Sequence, residues 1–170
     1  SGTFGYGDEV KKFINLEKLG CIITKSITVE QKTGNPHPRI LESSSGMLNS
    51  IGLANIGVEN FCKKKLPQLN KIKTNFLISI AGTKIEDYVK IIENIEQYSG
   101  DHIGYELNIS CPNIKQGGMI FGVSAEMTEL LTKTVRKCTS KLIVIKLSPN
   151  VTSIEDIALA AENGGADAVS

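Results

Sequence analysis

Short runs of β-branched and aliphatic residues alternate along this chain with segments whose apolar positions recur at helical spacing. Gly20-Cys21-Ile22-Ile23-Thr24-Lys25 is an apolar run closed by a charge. Asn75-Phe76-Leu77-Ile78-Ser79-Ile80-Ala81, residues 103–109 and residues 141–147 read the same way, and Ala166-Asp167-Ala168-Val169 begins another. Each is short and apolar enough for a strand. None alternates cleanly between apolar and polar, the pattern of strands covered on both faces. Between them Ile85, Val89, Ile92 and Ile95 or Glu96 mark one helical stripe; Met127, Leu130, Leu131 and Val135 a second; Ile154, Ile157, Ala158 and Ala161 a third. Ser124 and Ser153 precede the last two as start signals, and Gly164-Gly165 closes the last.

Repeated strand–helix units imply a parallel sheet with right-handed crossovers, closed as a barrel or open and doubly wound. The placement of unusual residues favours the barrel. Lys25, then Asn108 with Ser110 and Cys111, then Lys146 fall at the carboxyl ends of successive strands. Sites of (β/α)8 barrels are assembled on that rim from several strands, whereas an open sheet binds mainly at its switch point. The fold expected is an α/β TIM barrel. A complete barrel has eight strands and about 250 residues, so residues 1–170 are expected to form a single, incomplete domain holding about its first five to six strands.

Composition narrows the function classes. Lys plus Arg total 19 against 18 Asp plus Glu, a net charge of +1, which argues against nucleic-acid binding driven by bulk charge. With 41% hydrophobic and 22% charged residues the chain is a folded domain. No apolar run approaches the roughly 20 residues of a membrane span, and no secretory signal opens the chain. No membrane association and a cytoplasmic location are expected. Cys21, Cys62, Cys111 and Cys138 are widely spaced, without a metal-binding cluster or a disulfide framework, so neither bound metal nor disulfides are expected. His37 and His102 have no sequence neighbour that suggests a triad or a metal, and Lys63-Lys64-Lys65 reads most simply as a solvated helix face.

Two loops carry candidate chemistry. Asn108-Ile109-Ser110-Cys111-Pro112-Asn113 puts carboxamides, a hydroxyl and a thiol on one loop after a strand. Such a loop can meet the polar edge of a heterocycle with its amides while the thiol faces a reacting carbon. The same residues equally make an Asn/Ser/Pro turn with a buried cysteine. Residues 46–55 lie in a long connection, about 26–57, without a clear helix, in which Gly46, Gly52 and Gly57 permit tight turns or close backbone approach to a ligand. Alone, that segment reads as a surface excursion.

Taken in order, Ser1-Gly2-Thr3-Phe4-Gly5-Tyr6-Gly7, Lys25-Ser26-Ile27-Thr28, Gly34-Asn35-Pro36-His37-Pro38-Arg39, Asn49-Ser50-Ile51-Gly52-Leu53, residues 108–113 and Lys146-Leu147-Ser148-Pro149-Asn150 resemble the dihydroorotate dehydrogenase family across the whole chain. The stretch 113–122 is similar to the class 1B, NAD-dependent catalytic subunits. The fumarate-using class 1A enzymes and the pyrimidine-reducing domain of dihydropyrimidine dehydrogenase differ after the cysteine motif, and class 2 enzymes carry serine in place of Cys111. A non-catalytic truncated barrel is the contrasting reading.

The resemblance implies oxidation of (S)-dihydroorotate to orotate, in pyrimidine synthesis, with FMN as hydride acceptor. Cys111 would be the general base. Ser1, Gly2, Lys25, Ser26, Asn108 and Lys146 would contact the cofactor, with Lys146 at the flavin N1/O2 edge. Lys25, Asn49, Asn108, Ser110 and Asn113, with the backbone of Ile51, Gly52 and Leu53, would hold the substrate. A partner subunit carrying FAD and an iron–sulfur cluster would relay electrons to NAD within a heterotetramer. Segments that grip the FMN phosphate are expected in the missing part of the barrel.

Overall fold

The computed structural model describes residues 4–110 and 121–170. Five of its strands form one parallel sheet: β1 (Cys21–Ile23), β4 (Asn75–Ile80), β5 (Gly104–Asn108), β6 (Leu142–Lys146) and β7 (Ala168–Val169), neighbours in that order. Each new strand joins the same side of the growing sheet. A doubly wound sheet reverses direction at a switch point, and this one does not. The sheet is therefore part of a (β/α)8 barrel, and it curls as a half-barrel. Strands β4 and β5 are buried along nearly their whole length and β6 through its middle, because helices cover one face and the curl encloses the other.

The crossovers are α1 (Gly57–Asn60), which passes through a π turn (Phe61–Lys65) into α2 (Leu66–Leu69), then α3 (Ile85–Glu96), α4 (Ala125–Arg136) and α5 (Ile154–Asn163). Ser124 and Ser153 each accept a hydrogen bond from the third backbone N–H beyond them, which fixes where α4 and α5 begin. The buried faces differ in phase from the apolar stripes. α3 buries Tyr88, Ile91, Ile92 and Ile95; α4 buries Thr128, Leu131, Thr132 and Val135, leaving Leu130 exposed; α5 buries Ile157, Ala160 and Ala161, leaving Ile154 exposed. Thr128 and Thr132 sit in the core because their hydroxyls donate to the carbonyls of Phe121 and Thr128, at 2.8 and 2.7 Å, and so carry no unpaired donor inside. An apolar count cannot foresee that arrangement.

Two further features depart from the sequence reading. The long connection holds a hairpin, β2 (Ile40–Ser43) and β3 (Gly46–Asn49), exposed along both strands. With no core to face, its residues carry no alternation to read. The lysine run is not uniformly solvated. Lys63 pairs with Glu59 on the surface, but Lys65 donates to both Asp8 oxygens at 3.0 and 2.8 Å and lies 5.4 Å from the centre of the Tyr6 ring. Burial works to raise the Asp8 pKa, and the Lys65 ammonium outweighs it, so the carboxyl sits below its ordinary value. This pair fastens the N-terminal segment to the first crossover. No helix among the described residues is long and apolar enough to cross a membrane.

Candidate active site

Strand register sets which side chains share the inside of the half-barrel. Ser79 of β4 is opposite Glu106 of β5, which is opposite Val144 of β6; one pleat onward, Asn108 is opposite Lys146. Residues two apart on a strand face the same way, so Glu106 and Asn108 point to one face while Tyr105 and Leu107 pack toward the helices. The carboxyl ends of these strands thus bring polar groups onto the concave side, which is where barrel sites form.

A hydrogen-bonded chain links three of the elements there. The Asn108 amide donates to the Ser26 hydroxyl at 3.0 Å, and Ser26 and Ser79 share a hydroxyl–hydroxyl bond of 2.8 Å. Ser110 donates to the Asn108 carboxamide oxygen at 2.8 Å, and the Ser79 N–H donates to Thr24 Oγ1 at 3.1 Å. Tyr88 of α3 donates to the Asn108 carbonyl at 3.1 Å, pinning the strand end from behind. Each of these bonds fixes a rotamer. The Asn108 carboxamide keeps one N–H and one lone pair beyond the bonds just named, so it can both donate to and accept from a ligand's edge.

Lys25 lies half-buried just beyond β1, its N–H donating to the Gly5 carbonyl at 2.7 Å. Lys146 ends β6, also half-buried. The structure therefore brings Lys25, Ser26, Asn108, Ser110 and Lys146 to one rim. Ser1, Gly2, Cys111 and Asn113 lie outside the described residues.

The second loop is built on Asn55. Its side-chain oxygen accepts from the Thr28 and Gly57 N–H groups at 3.2 and 2.9 Å, and its nitrogen donates to Thr28 Oγ1 at 2.9 Å and to the Leu53 carbonyl at 2.8 Å. Asn35 braces the other side, donating from its backbone to the Ile51 carbonyl at 3.0 Å and from its side chain to the Ser50 carbonyl at 2.9 Å. Held between them, Gly52 and Leu53 take φ of 74° and 55°. A positive φ at leucine costs about 1–2 kcal/mol, and it is the kind of strain that collects at ligand clamps. Among the described residues the N–H groups of Ile51, Gly52 and Leu53 donate to nothing. Three successive unpaired amides beside left-handed residues make a concavity suited to an anion. Asn49 stands exposed at the end of β3. The two loops are tied together through Ser26-Ile27-Thr28: Ser26 joins Asn108, Ile27 bridges to Ile80, and Thr28 joins Asn55.

Ser79, Glu106 and Asn55 are absent from the sequence-derived candidates. The available signal was a polar residue inside an otherwise apolar strand, in even spacing with Asn108 for Glu106. Nothing local marked Asn55, whose bonds span the connection.

The donor set fits a planar polar heterocycle. Hydroxyls, a carboxamide and an ammonium lie along one rim, and the concave face below them keeps a buried Glu106 oxygen without a partner among the described residues. The family model described as "Dihydroorotate dehydrogenase" matches residues 1–170. The chain is similar to the "Dihydroorotate dehydrogenase B (NAD(+)), catalytic subunit" of Phocaeicola vulgatus, 52% identical over 171 residues, which cover all of this chain and 56% of that protein. The subunit of the same name from Bacteroides thetaiotaomicron is 51% identical over the same extent, and that of Geobacter metallireducens 45% identical over 170 residues, 55% of its length. The chain thus spans little more than half the length of these relatives.

Proposed function

The chain belongs to the dihydroorotate dehydrogenase family, and from that premise we propose that it forms the first part of a catalytic subunit oxidising (S)-dihydroorotate to orotate in pyrimidine synthesis. The observation that carries this reading is the bonded rim of Ser26, Asn108 and Ser110 with Lys146 in register beside Asn108, because a carboxamide, two hydroxyls and a lysine gathered at one level of the sheet suit the edge of a flat nitrogenous ring.

FMN is the cofactor we propose, and its role is to accept the hydride that leaves C6 of the substrate. Ser26, Asn108, Lys146 and Lys25, with Ser1 and Gly2, would hold it. Lys146 would stabilise the negative charge that a bound flavin takes on when it is reduced. Asn49, Asn108 and Asn113 would pair with the polar edges of the substrate ring, and Ser110 keeps the Asn108 carboxamide turned toward it. The substrate carboxylate is assigned to the unpaired amides of Ile51, Gly52 and Leu53, where the backbone supplies donors without added charge, and Lys25 completes its neutralisation. Cys111 takes the proton from C5 as the hydride departs from C6, which leaves the ring double bond; its competence depends on thiolate formation and reach. The electrons are proposed to reach NAD through a partner subunit with FAD and an iron–sulfur cluster, in a cytoplasmic heterotetramer. The names of the relatives, which specify NAD(+) and a catalytic subunit, support the acceptor and the existence of a partner.

The test uses the full-length protein under anaerobic conditions. Dihydroorotate is expected to bleach its yellow absorbance, and Cys111→Ala to keep the flavin while bleaching is lost. Reoxidation by NAD only after adding the partner subunit supports the class assigned; efficient direct reoxidation by fumarate rejects it, and a protein without flavin rejects the whole reading.

A further inference from the structure

Glu106 is a buried charged group that none of the roles proposed for the rim uses. It sits within β5, 2% exposed, with its side chain on the concave face. The Ser170 hydroxyl donates to Oε2 at 3.2 Å, while Oε1 is buried and meets no partner among the described residues. A carboxylate removed from water with one oxygen unpaired is expensive, and such groups are retained where a counter-charge completes them.

A cation carried on the same face is Lys146. It pairs in register with Asn108, and Val144, two residues earlier on the same strand, pairs with Glu106. Neighbouring strands lie about 4.8 Å apart and rise about 3.3 Å per residue, so diagonal neighbours on one face stand about 8 Å apart, within the span of a long side chain. Among the described residues the Lys146 ammonium enters no ion pair. Among the described residues, a half-buried lysine and a buried glutamate therefore stand one pleat apart on one face, neither of them in an ion pair.

We propose that Glu106 is a positioning residue for Lys146. Its carboxylate is the counter-charge that draws the ammonium down the inside of the barrel, holds it level with Asn108 and limits how much of its positive charge reaches a flavin above. The inference rests on the flavin reading given above. Glu106 itself touches neither cofactor nor substrate in this scheme.

Sulfite is a suitable probe. It adds through sulfur to N5 of an oxidised flavin, bleaches it, and leaves the added negative charge at the edge that Lys146 faces. In the flavin-loaded full-length protein, Glu106→Gln is expected to tighten sulfite binding about tenfold, since one unit charge a few ångströms away at intermediate dielectric is worth that much. Lys146→Gln weakens binding. In the double variant the gain from Glu106→Gln falls below about twofold, because the lysine through which it acts is gone. Glu106→Asp, which keeps the charge but withdraws it by one methylene, gives a smaller gain in the same direction and decides the matter if the Gln variant does not accumulate as flavoprotein. An equal effect of Glu106→Gln with and without Lys146, or none, overturns the proposal. A wild-type protein without flavin, or one that dihydroorotate does not bleach, sinks the functional reading instead. A wild-type flavoprotein that dihydroorotate bleaches, with sulfite affinity indifferent to residue 106, sinks this inference alone.

Discussion

Ser26 and Asn108 are 82 positions apart in the chain, and the Asn108 amide donates to the Ser26 hydroxyl across 3.0 Å. That bond closes the rim of the half-barrel. Ser26 extends the path of β1 and Asn108 ends β5, with β4 between them, so the contact exists only when all three parallel strands are in register. It is also the middle of a longer chain, because Ser26 bonds Ser79 and Asn108 accepts from Ser110.

Removing the Ser26 hydroxyl leaves a buried Asn108 donor and the Ser79 hydroxyl each short of a partner. An unsatisfied buried polar group costs about 1–3 kcal/mol. Ser26→Ala is therefore expected to lower the unfolding free energy by about 2 kcal/mol in a urea titration. Ser26→Thr, which keeps the hydroxyl, should recover most of it. If alanine is as stable as the parent, the network is not holding the rim.

Much of the fold was legible because a parallel barrel writes itself into sequence as short apolar runs between helical stripes. All five sheet strands fall within the runs marked for them, each shortened at one or both ends. What failed was the phase of the helices and the hairpin. Thr128 and Thr132 are polar by composition yet core by bonding, and Leu130 is apolar yet exposed. The rim was legible as strand-end Lys25, Asn108 and Lys146. Its supports, Ser79 and Asn55, were not, since their worth lies in contacts with Ser26, Thr28 and Leu53 that only folding creates.

The 51–53 loop stores strain that a single change should release. Leu53 has φ of 55°, and glycine adopts that conformation without the steric penalty. Leu53→Gly removes about 1 kcal/mol of strain but returns entropy to the unfolded chain, so stability is expected to change by less than about 1 kcal/mol. Gly34→Ala is the opposite case. Gly34 has φ of 79°, and a Cβ there would stand 2.3 Å from the Ile51 carbonyl oxygen, a contact with backbone that must push the loop aside. The expected result is retained folding, because the loop is peripheral to the core, with at least about tenfold weaker binding of orotate to the full-length protein by titration. Unchanged binding in Gly34→Ala would detach this loop from the site.

Lys65 and Lys64 are adjacent and should behave differently. Lys64 is exposed, whereas Lys65 pairs with Asp8 and Glu9 and lies over the Tyr6 ring. Partly exposed pairs are worth little individually, but this lysine combines two carboxylates with an aromatic face. Lys65→Met is expected to cost about 1 kcal/mol and to speed proteolysis near residues 4–15, with Lys64→Met near neutral. Equal effects would return the run to a plain solvated surface.

At the opposite end of the barrel, the pH dependence of stability should report one buried histidine. His102 is 3% exposed, and its Nε2 lies 2.9 Å from the Tyr105 hydroxyl, which itself donates to Glu96 at 2.7 Å. Because that hydroxyl has spent its proton on Glu96, Nε2 must be the donor, which leaves Nδ1 bare, buried and without a partner among the described residues. Burial, with the nearby Lys141 charge, pushes the His102 pKa down to about 4. Its 3.7 Å approach to Glu96 is consequently no ion pair at neutral pH. The unfolded chain, with an ordinary value of about 6.5, binds the proton first as pH falls. Stability is therefore full above that value and is lost progressively toward pH 4, by on the order of 3 kcal/mol. Glu96 adds loss in the same direction at the acid end. Burial raises its pKa, but the Lys141 and Tyr105 bonds outweigh that and hold it below the ordinary carboxylate value, so this contribution disappears as the carboxyl protonates. Urea titrations between pH 7 and 4 should show this slope, and His102→Phe, which keeps a ring against Phe76 and Tyr105, should flatten it between about pH 6.5 and 5, where Glu96 remains charged. An unaltered slope in that window would mean that the proton uptake belongs to another group.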